Sequence, residues 1–247
     1  MQFRFNPETS FNASTRDVLR AMAARAFAAC KVQFSSQDDH ASPVCEFHVG
    51  GFKGNTGNLV GIHVTFSTAQ ALSEALSDSP AKVEQLIHHE MVHFFQSHLH
   101  GVEPYTYLPL WFSEGMAVAF SGQGIIARNS HLDSDYPRLG GSVGWERYYL
   151  MKQYRNIDCT RPPFDVLYDS WGALFIYAVT EKPSMFPDHA FIAEDTYLHA
   201  RVGQAECAKA LAIMDSARHS GFDVALKQHT GRERILECGF RQFLAAD

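Results

Sequence analysis

The segment His88-His89-Glu90-Met91-Val92-His93-Phe94-Phe95-Gln96 holds a His-Glu-x-x-His pattern at residues 89, 90 and 93. On an α-helix, residues four apart sit about 40° apart around the axis and one turn up. His89 and His93 therefore face the same way and can grip one metal ion. Glu90 lies beside that face, within reach of a water on the metal. Imidazole pairs suit zinc. With 13 histidines in 247 residues, a chance match has to be considered. The setting argues against one. Val83, Leu86, Ile87 and Phe94 supply apolar packing at helical spacing, and an alternating strand pattern precedes the helix.

A catalytic zinc site needs a third protein ligand and an open fourth position. A third histidine six residues after the second would fall at Leu99, and the glycine expected midway is Gln96. His98 and His100 are out of phase. The other source is a glutamate on the next helix. Trp111-Phe112-Ser113-Glu114-Gly115-Met116-Ala117 puts Glu114 in an apolar helix, where an unpaired carboxylate is costly and a metal would compensate its charge. Glu103 competes with it, but Gly101 and Pro104 place Glu103 in a loop.

His-Glu-x-x-His followed by Trp-Phe-Ser-Glu-Gly resembles the gluzincin metallopeptidases, the superfamily of thermolysin and aminopeptidase N. The resemblance implies a zincin-like fold, with His89, His93 and Glu114 holding one Zn²⁺ per chain and Glu90 as general base. It implies hydrolysis of peptide bonds in a peptide or protein substrate. The strand Val60–Phe66 is similar to the family's edge strand, which pairs with extended substrate. The segment from Gly221-Phe222 to Phe243-Leu244 resembles the closing helices of smaller bacterial members. An oxyanion-stabilising tyrosine is implied on a later helix. Tyr168, in Tyr168-Asp169-Ser170-Trp171-Gly172, is the first candidate, with Tyr177, Tyr148 and Tyr149 as alternatives. The interval from His93 to Glu114 is slightly longer than in the best-known members. Val118 stands where thermolysin-like proteins often carry an aspartate that orients a ligand histidine. No aminopeptidase-type Gly-Ala-Met-Glu-Asn run occurs, which favours endopeptidase action. The rival reading is a catalytically silent, zinc-stabilised protein-binding module on a peptidase scaffold. Retention of Glu90 weighs against it, since a purely structural site needs no base.

The elements that must position these residues are legible in outline. Helices are predicted over 14–30, from Ser79-Pro80 to about Leu99, and over about 109–120. Strands are predicted at Val44–Val49 and Leu59–Ser67, with Gly50 to Asn58 as the turn between them. Residues 121–144 read as a long surface loop, a candidate lid. The loop from Leu99 to Pro109, with Tyr105, Tyr107 and Leu108, is a candidate pocket wall. Helical patterns return at about 145–155, 165–180, 204–219, 221–229 and 231–245. Strands before residue 70 and helices after 80 predict an α+β fold. It forms a single domain over 1–247, with a small mixed β-sheet lobe and the active-site helix in about 1–100 and a mainly helical lobe in about 101–247.

Composition narrows the remaining classes. The chain is 46% hydrophobic and 19% charged, which excludes a disordered or low-complexity protein. Its net charge of −6 gives no basic face for nucleic acid, and no apolar run approaches a membrane span. Nucleic-acid and membrane partners are therefore not expected. Cys30, Cys45, Cys159, Cys207 and Cys238 are scattered and contain no Cys-x-x-Cys, the pattern of free thiols in a reducing compartment. Phe27-Ala28-Ala29-Cys30 is lipobox-like, but Arg16, Asp17, Arg20 and Arg25 precede it, so no apolar signal segment exists. A cytoplasmic location is expected, with leaderless secretion giving the same pattern. No cysteine sits in a recognisable nucleophile context.

Overall fold

A computed structural model describes residues 1–35, 42–51, 54–126, 171–172, 175–176, 178–179, 197–199 and 202–231. The chain divides into two units, Met1–Pro104 and Tyr105–Asp247.

The first unit is a four-stranded sheet with three helices. Its strands are β1 (Gln2–Asn6), β2 (Val44–Val49), β3 (Thr56–Gly57) and β4 (Gly61–Phe66), in the order β1-β2-β4-β3. β1, β2 and β4 run parallel, and β3 closes the end antiparallel to β4. The helices are α1 (Ala13–Gln33), α2 (Ala69–Asp78) and α3 (Pro80–His100). Each starts where the sequence supplies a reason. The Asn12 side chain accepts from the Thr15 amide at 2.8 Å, and the Thr68 hydroxyl accepts from the Ala71 amide at 3.0 Å. Pro80 occupies the first turn of α3, and Gly101 ends that helix in the left-handed region at φ 66°.

Strand alternation sorts the sheet into two faces. Cys45, Phe47, Ile62 and Val64 are buried, and α3 packs on β4 and β3. α1 packs along α3 through Leu19, Met22, Ala26 and Cys30, with the Phe27 and Phe34 rings each 5.4 Å from Phe95. The opposite face carries Arg4, Glu46, His48, His63 and Thr65.

The strand taken for a sheet edge is internal. β4 lies between β2 and β3, and β3 is the edge. Asn55, Thr56 and Gly57 fold back on β4, with the Asn55 side chain accepting from the Thr65 amide at 2.8 Å. β1, β3 and α2 were not foreseen from the sequence.

The second unit holds α4 (Leu110–Ser121), β5 (Gly124–Ile126), β6 (Tyr197–His199), α5 (Gln204–Ser220) and α6 (Phe222–Thr230). α4 is buried almost all round. The Phe112 ring lies 5.1 Å from both Phe175 and Phe222, and Trp111 lies 5.6 Å from Phe222. Ser121 closes α4, and β5 pairs antiparallel with β6. The start of the expected 121–144 loop is therefore helix and strand, and this unit is not wholly helical. Residues 127–144, the expected helix over 145–155 and residues beyond 231 lie outside the described residues. Among those described, no helix is long and apolar enough to cross a membrane.

Candidate metal centre

α3 carries the site because its middle is buried on every side. From His89 to Ser97 each side chain is buried, including the polar His89, Glu90, His93, Gln96 and Ser97. Apolar packing by Val83, Ile87, Met91, Phe94 and Phe95 anchors this stretch. Five polar side chains within nine residues of a core helix would be a heavy burden without partners. The partners show how they are used.

His89 and His93 stand one turn apart and turn their Nε2 atoms toward each other at 3.2 Å. Ligands held tetrahedrally at zinc–nitrogen distances lie about 3.4 Å apart. The two imidazoles thus already stand at the spacing of neighbouring ligands on one ion. His93 Nδ1 lies 2.8 Å from Gln96 Oε1. That oxygen only accepts, so His93 carries its proton on Nδ1 and presents an Nε2 lone pair, the form that binds a metal. Gln96 is fully buried. It holds His93 in place, a contact for which the sequence offered no candidate at Val118. The signal was available: residues three apart on one helix face are neighbours.

Glu90 sits between the two histidines in sequence and is 5% exposed. Its backbone meets the edge strand. A Cβ on Gly57 would overlap the Glu90 carbonyl oxygen and lie 2.8 Å from His93 Cβ. Only glycine lets β3 cross α3 this closely. The sheet edge is thereby set directly on the turn that bears Glu90 and His93.

The flanking residues have other roles. His88 Nε2 lies 3.0 Å from Gln33 Oε1, and burial, then the neighbouring His89, pushes its pKa down to about 4. The Ser97 hydroxyl donates to Glu103 Oε2 at 2.9 Å, so the competing carboxylate is engaged at the C-terminal end of α3. Glu114 lies in the second unit on α4. It is half-buried, between the fully buried Ser113 and Gly115. Tyr168, Tyr177, Tyr148 and Tyr149 lie outside the described residues.

The structure thus brings His89, Glu90 and His93 together on one buried helix and adds Gln96 and Gly57 to them. The donor set fits zinc: two imidazoles with facing Nε2 atoms, one of them held from behind by Gln96, with a carboxylate one residue away. No protein-family model, curated protein or solved structure matches the chain.

Proposed function

We propose that the protein is a zinc-dependent metallopeptidase of gluzincin type, with His89, His93 and Glu114 as ligands of one Zn²⁺ and Glu90 as general base. The observation that carries this reading is the 3.2 Å approach of the His89 and His93 Nε2 atoms inside a buried helix, with Glu90 beside them. Glu114, the glutamate of the Trp-Phe-Ser-Glu-Gly run, would add the carboxylate of a hydrolytic zinc site. Zinc held there supplies an acidified water and a positive charge for a developing oxyanion.

The chain's own residues supply the rest. Glu90 takes the proton from the attacking water on its carboxylate and passes it to the leaving amine. Gln96 keeps His93 in the ligating tautomer throughout. β3 provides the strand edge nearest the chemistry. An extended peptide added along it would run past Glu90, because Gly57 presses β3 onto that turn. This role passes to β3 from the strand at 60–66, which lies inside the sheet. Tyr168 is the oxyanion donor that this reading assigns. The buried thiols of Cys30, Cys45 and Cys207 support a reducing, cytoplasmic setting.

The test pairs metal content with turnover. Elemental analysis of purified protein is expected to give zinc in wild type and a clear loss in Glu114→Ala. A peptide library is expected to be cleaved by wild type, while Glu90→Gln keeps its zinc and loses at least 100-fold in kcat. Equal turnover by zinc-loaded Glu90→Gln would overturn the mechanism. Zinc-loaded wild type that binds peptides without cleaving any would make the protein a silent binding module.

A further inference from the structure

A second group of metal-ligating side chains stands on the face of the sheet that α3 does not cover. Glu46 and His48 are two residues apart on β2 and so point to the same side. His63 is the register partner of Glu46 on β4, and Arg4 is its partner on β1. Strand pairing alone therefore brings Arg4, Glu46 and His63 into one row, with His48 one step along.

The distances define a pocket for an ion. Glu46 Oε2 lies 3.5 Å from His63 Nδ1 and 3.8 Å from His48 Nε2. Both exceed the length of a good hydrogen bond between such groups and bracket the roughly 3.4 Å between ligands on a tetrahedral ion. The ligand atoms of all three residues lie within 4.8 Å of one another. The two imidazole rings stack with centroids 4.1 Å apart. All three residues are half-buried.

Each ligand is also held from behind. Arg4 Nη1 donates to Glu46 Oε1 at 2.9 Å, which leaves Oε2 turned toward the histidines. His63 Nε2 lies 3.1 Å from the Thr65 hydroxyl. That contact holds the ring with Nδ1 turned toward Glu46. Such outer contacts orient the ligands of metal sites. A cleft of about 360 Å³, lined by Arg4, Glu46 and His63 with Thr56 and Asn58, opens beside Glu46 and His63 and gives an entry path.

We propose that Glu46, His48 and His63 bind a late first-row divalent cation, Zn²⁺ or in its place Ni²⁺ or Cu²⁺, on the open face of the sheet. Two imidazoles and one carboxylate select these ions over Mg²⁺ or Ca²⁺, which want oxygen ligands. The ion ties β2 to β4 across the register pair Glu46–His63. This site is independent of His89 and His93.

The test uses the full chain with His89→Ala and His93→Ala, which lacks the α3 pair. Zn²⁺ alone is titrated by calorimetry, and Co²⁺ by its visible absorption. One equivalent is expected at micromolar affinity. A further Glu46→Gln or His63→Ala is expected to weaken it at least tenfold, with the far-ultraviolet circular dichroism unchanged. Glu46→Gln keeps the side-chain shape, so it covers the case in which His63→Ala fails to fold. No ion bound by the folded His89/His93 variant at 100 μM Zn²⁺ would overturn the proposal, as would binding indifferent to Glu46→Gln. The two sites fail separately. An ion lost only with His89 and His93 leaves the peptidase reading standing and removes this one, whereas an ion lost only with Glu46 does the reverse.

Discussion

His93 donates its Nδ1 proton to Gln96 Oε1 at 2.8 Å, and both side chains are buried one turn apart on α3. This bond fixes which imidazole nitrogen faces His89. Gln96→Leu fills the same space without an acceptor, so His93 is free to take the other tautomer. Zinc affinity is expected to fall about 10–100-fold, the range for lost outer-shell partners. Gln96→Glu keeps an acceptor and should lose much less. Competition with a chromophoric chelator measures both. Wild-type affinity in Gln96→Leu would show that the bond does not set the tautomer.

Gly57 is where the sheet edge touches α3. A Cβ there overlaps the Glu90 carbonyl oxygen, and backbone cannot move aside as a flexible side chain can. Gly57→Ala is expected to destabilise the fold by about 1–3 kcal/mol, the usual cost of overpacking. Gly54, nearby in the same loop, has nothing within 4 Å of its added Cβ. Gly54→Ala is the control and should stay within about 0.5 kcal/mol of wild type. Urea midpoints read the difference. Equal midpoints would mean that β3 lifts away from α3 at no cost.

How much of this was legible in the sequence depended on element length. α3 and α4 were read to within a residue or two because Ser79-Pro80, Gly101 and the apolar run after Pro109 mark their ends. The pattern at 89–93 fixed the helical face of the centre. β1 was missed although Gln2-Phe3-Arg4-Phe5-Asn6 alternates, because five residues are too few to separate from a frayed terminus. β3 has two residues and no periodicity at all. It exists through pairing with Ile62 and His63. Without β3, the strand at 60–66 looked like an edge. The Glu46, His48 and His63 group was invisible for the same reason, since only the register of β2 on β4 brings residues 46 and 63 together. Glu46-x-His48 on a predicted strand was the one available hint.

The cysteines offer a test of the core. Burial pushes the Cys30 thiol well up, the Cys45 thiol to about 12, and the Cys207 thiol to about 11 with help from Glu206. The thiolate is the reactive species, so these three should resist a soluble alkylating reagent at pH 8. After unfolding in urea all three should label. Peptide mass mapping assigns each site. Rapid native labelling of Cys45 would contradict its place on the buried face of β2.

Arg25 and Glu84 join α1 to α3 on the solvent side. Arg25 Nε and Nη2 donate to the two Glu84 oxygens at 2.7 and 2.8 Å, a paired geometry with more specificity than a single contact. Their side chains are 58% and 34% exposed, so solvent screening limits the pair to under about 1 kcal/mol. The Arg25 hydrogen bond lowers the Glu84 pKa below its ordinary 4.5, against a smaller opposing effect of burial. A carboxylate held low in the folded state contributes stability above its unfolded pKa and loses it as pH falls through the folded value. The stability difference between wild type and Arg25→Gln should therefore be flat from pH 8 to about 5 and shrink as pH falls below the ordinary carboxylate range. Raising the salt to 1 M should shrink it at neutral pH as well, because the partners are exposed. A double-mutant cycle with Glu84→Gln isolates the pair from the packing of the two long side chains. A coupling energy that persists unchanged once Glu84 is protonated would mean that Arg25 acts through its aliphatic stem on α3 and not through its charge.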